Sequence, residues 1–264
     1  MIEGWWVFPL LGLAAGVLAG LLGIGGGLVL IGALVWLLPA YGIPAEAAMH
    51  AALASSLASI VLTASSSARA HHRRGSVLWR TVAWMVPGLL LGGWLGSLLA
   101  VGLQGQVLRW CVALYCFLVA AQMMSGGRRG GASREGVVPT GWPMVAAGGG
   151  IGAVSAVVGI GGGSMTVPLL VWRGVVPVRA VGTSSACGIF IGLASAAGYA
   201  LHAPPGVLPA HAVGYVYLPA AIGIAVASVL AAPLGTRLAH AISGAALKRV
   251  FAVFMVLVGI SVLL

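Results

Sequence analysis

Negative charge is almost missing from this chain. Its 264 residues include three acidic side chains, Glu3, Glu46 and Glu135, against 13 Lys and Arg. Charged residues of all kinds make up 6%, where a soluble globular domain carries roughly a quarter. So few charges cannot build a water-facing surface, which excludes an ordinary soluble domain. The hydrophobic share is 61% and the mean hydropathy is +1.12, so lipid must be the solvent for most of the surface. The placement of the acids excludes more. Glu3 is terminal, Glu135 lies in a polar stretch, and Glu46 falls at a helix start, where it suits the helix dipole. With no carboxylate in mid-membrane, neither a carboxylate proton relay nor a charged cation cage is expected. Cysteine is scarce as well. Cys111, Cys116 and Cys187 sit inside apolar segments with neither disulfide nor metal spacing, and they read as small hydrophobes. No metal and no cofactor are expected.

Long apolar runs are what the chain has in abundance. They fall at 5–38, 45–68, 79–100, 107–124, 142–172, 180–201, 212–235 and 247–264. A helical crossing takes about 20 apolar residues, and these runs do not alternate with period two, so they predict helices rather than barrel strands. The net charge of +10 does not point to nucleic acid, because Lys and Arg collect in loops between the runs. That pattern orients membrane proteins. The N-terminus lacks the basic region of a cleavable signal peptide. The expectation is a multi-pass protein of the bacterial inner (cell) membrane, with lipid as its surroundings and homo-oligomerisation left open.

The chain also repeats itself. Gly20-Leu21-Leu22-Gly23-Ile24-Gly25-Gly26-Gly27 matches Ala156-Val157-Val158-Gly159-Ile160-Gly161-Gly162-Gly163, and Ala54-Ser55-Ser56 matches Gly182-Thr183-Ser184. Pro87 pairs with Pro219 and Arg109 with Arg249, in the same order. A polar, glycine-rich stretch joins the halves. The expected organisation is a first membrane repeat at 1–124, a cytoplasmic basic linker at 125–140 and a second repeat at 141–264. The loop holding Arg69, Arg73, Arg74 and Arg80 reads as cytoplasmic, whereas its counterpart at 202–211 has no Lys or Arg and reads as periplasmic. Equivalent loops on opposite sides make the repeats inverted, a pattern found in secondary transporters. Inversion needs an odd number of crossings per half, so the first segment must return to its own side. About 27 Å of helix before the glycines and about 16 Å after them suit a re-entrant hairpin. The expected fold is therefore an all-α integral membrane protein of two inverted repeats, each a re-entrant helical hairpin plus three transmembrane helices.

The glycine clusters are the main candidate site. Gly23, Gly25, Gly26 and Gly27, with Gly159, Gly161, Gly162 and Gly163, are too many for helix interiors, where each costs roughly 1 kcal/mol relative to Ala. A backbone break within a bilayer is tolerated only where protein buries it or a wet cavity meets it. Freed amides ahead of a helix N-terminus form an anion site, although glycines also serve close helix packing. Ser55, Ser56, Thr183, Ser184 and Ser185 are expected at the start of the next helix of each half, as neutral donors to an oxyanion or as interhelical hydrogen bonds. His50 falls five residues before Ser55 and is a candidate anion ligand or proton carrier, or a packing residue.

At these residues the chain resembles the TauE/SafE family of sulfite exporters and related anion permeases. The resemblance runs nearly the whole length and is most specific at 20–27, 54–60, 69–77, 159–163 and Thr183-Ser184. Members typically read Gly-Thr-Ser-Leu where this chain has Ala54-Ser55-Ser56-Leu57, and often Val-Asp where it has Val77-Leu78. The resemblance implies transport of sulfite, thiosulfate, sulfonates or similar sulfur oxyanions. The expected function is a permease, not an enzyme, that exports a small anion bound at the glycine-rich breaks. A membrane-embedded enzyme would need a nucleophile, an acid/base pair or a metal cluster, and a structural subunit would lack paired helix breaks.

Overall fold

The computed structural model describes residues 4–22, 26–124, 136–206, 208–241 and 244–264. Helices α1 (Val7–Leu22) and α2 (Gly27–Leu37) are followed by a 3-10 turn at Leu38–Tyr41 and by α3 (Ala45–Arg73), α4 (Trp79–Gly102) and α5 (Gly105–Met124). The same order then recurs in α6 (Trp142–Val158), α7 (Gly163–Trp172), α8 (Pro177–Leu201), α9 (Leu218–Ala241) and α10 (Gly244–Leu263). The chain is an all-α membrane protein. Among the described residues, α3, α4, α8 and the 105–122 part of α5 are each long and apolar enough to cross a bilayer alone. Residues 125–135 of the expected 125–140 linker, with Arg128, Arg129, Arg134 and Glu135, lie outside the described residues.

Two boundaries depart from the apolar runs. Helix α3 continues past residue 68 to Arg73, because solvated basic side chains end an apolar run without breaking a helix. The run at 212–235 does not begin as a helix. Residues Ala212–Val213 (β1) and Val216–Tyr217 (β2) pair as an antiparallel ribbon, Ala212 opposite Tyr217, turning at Gly214, and α9 starts after it.

Close crossings of small residues hold the helices together. A Cβ on Gly88 or Gly92 of α4 would come within 1.9 Å of Val145 O or 2.0 Å of Gly149 O on α6. On α1, Cβ atoms on Gly12 and Gly16 would come within 2.5 Å of Ile224 O and 2.6 Å of Ser228 O on α9. Spacing of four puts these glycines on one helix face, where backbones approach closely, and at the α1–α9 crossing Ser228 Oγ also donates to Gly12 O at 2.9 Å. In both crossings the residue numbers rise together, so α4 runs parallel to α6 and α1 parallel to α9. Gly148 meets Met85 O as Gly12 meets Ile224 O, and Gly152 meets Leu89 O as Gly16 meets Ser228 O. The packing thus makes Met85 and Ile224 equivalent, and the sequence pairing of Pro87 with Pro219 is about two helical turns out.

Equivalent helices of the two halves also meet, and they do so head to tail. Gly192 of α8 faces Leu57 and Val61 of α3, Gly188 faces Ala64, Ser185 bonds Ser67, and Gly182 faces His71. As the numbers rise on α8 they fall on α3. Likewise Arg109 at the start of α5 donates to Val262 O near the end of α10, while Phe117 packs on Gly259. Both pairs are antiparallel. Helix α3 is buried along most of residues 47–60, so the centre of the bundle lies along it.

Candidate functional site

The chain doubles back twice in the interior, at corresponding places. A Cβ on Gly26 would sit 2.6 Å from Ala15 O, and one on Gly162 would sit 3.1 Å from Ile151 Cγ2, eleven residues back in each half. Gly26 (φ 64°) is the N-cap of α2 and Gly162 (φ 73°) that of α7. This left-handed backbone disfavours residues with a Cβ, which accounts for glycine at both positions. Neither cap has a side-chain hydrogen bond, and although Met165 N turns to Gly162 O at 3.2 Å, the first amides of each helix have no intrahelical acceptor. Each turn therefore presents a donor-rich helix end inside the bundle.

The two turns touch. A Cβ on Gly27 would lie 2.7 Å from Gly159 O, and Ile60 packs against both Gly27 and Gly161. Ser56 Oγ lies 3.3 Å from Gly27 O and 3.2 Å from Gly159 O, so one hydroxyl proton is shared between carbonyls of different halves. Ser56 stands near the middle of the 29-residue α3, which fixes how far into the bundle each hairpin reaches.

The remaining sequence candidates take several positions. Gly161 and Gly163 belong to the second turn, while Gly23 and Gly25 lie outside the described residues. The serines and threonine lie well inside α3 and α8 rather than at their starts, because those helices begin at Ala45 and Pro177. Ser55 accepts from Tyr217 N at 3.0 Å. Thr183 accepts from Leu78 N at 3.0 Å and donates to Arg179 O at 2.7 Å. Ser185 donates to Val181 O at 3.1 Å and lies 3.0 Å from Ser67 Oγ. Ser184 is 1% exposed, and its hydroxyl has no partner. His50 faces elsewhere. Its Nε2 lies 3.1 Å from Ala100 O and 3.0 Å from Leu103 O, so that nitrogen carries the proton and caps the end of α4. The ring stacks on Tyr215, with centroids 4.8 Å apart.

Two hydroxyls that sequence reasoning missed belong here. Ser155, one turn before Gly159, is fully buried without a hydroxyl partner, and its Oγ lies 3.3 Å from where a Cβ on Gly162 would be. Thr166 on α7 is likewise buried with its hydroxyl unpartnered. The signal for Ser155 was its place one turn ahead of the glycine cluster. Ser164, in the first turn of α7, shares a hydrogen bond with the Tyr115 hydroxyl of α5. The groups around the turns are amides, carbonyls, hydroxyls and isoleucines. Charge lies farther out: Arg69, Arg73, Arg74 and Arg179 share the bundle end where α3 stops and α8 begins, and Glu46 lies at the other end of α3. Neutral donors at depth with cations at one mouth suit an anion.

Apolar helices around two interior backbone breaks define a multi-pass membrane protein of the transporter class. Residues 8–262 match the family described as Sulfite exporter TauE/SafE, and the chain belongs to that family. A "Probable membrane transporter protein" of Haemophilus influenzae is 33% identical over 256 residues, covering 97% of this chain and 96% of the relative. A protein of the same description from Xylella fastidiosa is 30% identical over 221 residues, covering 81% of this chain and 80% of its own length. No solved structure matches the chain. The chain is thus a membrane transporter, and the enzyme and structural-subunit readings give way to it.

Proposed function

We propose that the protein carries a small anion, sulfite or a related sulfur oxyanion or organosulfonate, out of the cell across the bacterial inner membrane. The anion binds at the glycine turns near the bilayer midplane. The observation that carries this reading is the meeting of the two turns at Ser56, halfway along α3, with the N-termini of α2 and α7 beside them. Two helix N-termini converging in the interior supply donors and partial positive charge without the cost of burying a cation. The matched family supports a sulfur oxyanion as cargo. The halves at 1–124 and 141–264 act as inverted repeats around the 125–140 linker, a reading supported by the antiparallel packing of α3 on α8 and of α5 on α10.

Ligand-dependent thermal stability of the purified protein tests this reading. Sulfite, thiosulfate and an alkanesulfonate should raise the unfolding midpoint with dose, the stabilisation reaching about 2.7 kcal/mol at a hundred times Kd. Ammonium and sodium as chloride salts should not. Absence of any shift with all three sulfur anions would remove the proposal.

A further inference from the structure

We propose that the oxyanion is held by the second half of the chain, with the hydroxyls of Ser155 and Ser184 as its side-chain donors, while the Ser56 hydroxyl in the first half closes the two turns. This inference rests on the anion-transport reading above and assigns the ligands within that site.

The structure itself sets the correspondence between the halves. Ser55 holds the amide of Tyr217, the residue before α9, and Thr183 holds the amide of Leu78, the residue before α4. Ser56 and Ser184, one position on, are therefore equivalent. They are 0% and 1% exposed, yet their hydroxyls fare differently. Ser56 is spent on Gly27 O and Gly159 O, and Ser184 has no partner. The matching of Gly26 with Gly162 makes Ala19 the counterpart of Ser155, so the first half has no hydroxyl there at all. Among the described residues, the unspent hydroxyls on the helices that form and flank the second turn are Ser155, Thr166 and Ser184, while the one unspent hydroxyl of the first half, Thr81, stands at the start of α4.

Ser155 approaches Gly162, the N-cap of α7, from α6. Ser184 lies one turn before Gly188 on the same face of α8, and a Cβ on Gly188 would meet Gly161 O at 3.1 Å. A ligand at the start of α7 thus meets the Ser155 hydroxyl and first-turn amides, with Ser184 one helical turn from the Gly188 contact on α8. The opposite wall is unfavourable to an anion, because Ser56 gathers two carbonyl oxygens there. Several separated donors suit a species with three or more oxygens better than a halide of equal charge. The ends of Ile151 and Ile191, 3.1 Å and 2.5 Å from the Cβ position of Gly162, cover this turn and move aside when the ligand enters.

A buried hydroxyl without a partner is unfavourable to the empty protein. Its removal should leave stability unchanged or higher while weakening the ligand, the opposite of removing a hydroxyl that bonds the protein. The test measures sulfite flux in proteoliposomes, and the thermal midpoint without ligand, for wild type, Ser155→Ala, Ser184→Ala and the control Ser97→Ala. Ser97 is fully buried and donates to Trp94 O away from the turns. Ser155→Ala and Ser184→Ala should each raise KM for sulfite about ten- to a hundredfold, as for a lost hydrogen bond to a charged group. Their midpoints should not fall, whereas Ser97→Ala should lower the midpoint and keep KM. Wild-type KM in both variants, beside working wild-type flux, overturns this assignment alone. Absence of sulfite flux and sulfite stabilisation in the wild type overturns the transport reading and this inference with it.

Discussion

The hydroxyl of Ser55 accepts a hydrogen bond from the amide of Tyr217 at 3.0 Å, across 162 residues of chain. The same bond joins Leu78 and Thr183 at 3.0 Å with the halves exchanged. Each half therefore fixes the entry of the other half's fourth helix, satisfying an amide that the helix cannot satisfy itself. The two bonds lock α3 and α8 to the loops ahead of α9 and α4, and so hold both turns at their depth.

Ser55→Ala and Thr183→Ala should each destabilise the protein by about 1–3 kcal/mol, since each strands a buried amide. Thr183→Ser should recover most of the loss. Thermal unfolding in detergent reads this directly, and equal midpoints for Thr183→Ala and wild type would show that the bond carries nothing.

Close approach at the α4–α6 crossing predicts a sharp position dependence. Gly88→Ala and Gly92→Ala place a Cβ within 1.9 Å and 2.0 Å of carbonyl oxygens and should cost about 1–3 kcal/mol or more. Gly150→Ala, with nothing within 4 Å, should be tolerated. Yield and thermal midpoint after membrane extraction compare the three.

Much of this architecture was legible beforehand, for physical reasons. The splits of 5–38 and 142–172 follow from glycine clusters that no continuous helix accommodates, and the observed helices break at those clusters. Hydropathy marks where lipid ends rather than where a helix ends, so the limit of α3 at Arg73 was hidden, as was the ribbon at 212–217, whose apolar residues look like more of α9. Within the site, residue type announced the glycines and Ser56. The bonds of Ser55 and Thr183 could not be read, because each joins residues over a hundred positions apart. Ser155 passes for an ordinary small helix residue until the fold shows its hydroxyl without a partner.

The inverted arrangement proposed for the two halves predicts opposite exposure of two equivalent loops. With Cys111, Cys116 and Cys187 replaced, Arg74→Cys after α3 should react with an impermeant thiol reagent only from the cytoplasm. Pro204→Cys after α8 should react only from the periplasm. Labelling of both from one side would refute inversion.

His50, six residues before Ser56 on α3, bonds the carbonyls that end α4, and the sequence offers no coupling carboxylate within the apolar runs. Anion export should therefore run on the membrane potential, which supplies about 2.3 kcal/mol per charge per 100 mV. In proteoliposomes an imposed potential without a proton or sodium gradient should drive sulfite toward the positive side, and His50→Gln should keep most of that flux. Flux that needs a proton gradient and is lost in His50→Gln would reverse this assignment.

The most direct measurement is sulfite flux in proteoliposomes carrying wild type, Gly161→Ala or Gly161→Val. A Cβ at Gly161 meets no backbone, with Ile60 Cγ2 nearest at 3.1 Å, so both variants should insert and purify. If the anion approaches the amides of this turn, flux should fall from wild type to Ala and again to Val as bulk grows and backbone freedom shrinks. Wild-type flux in a well-folded Gly161→Val would contradict the account, leaving the glycines as packing residues and the anion site elsewhere.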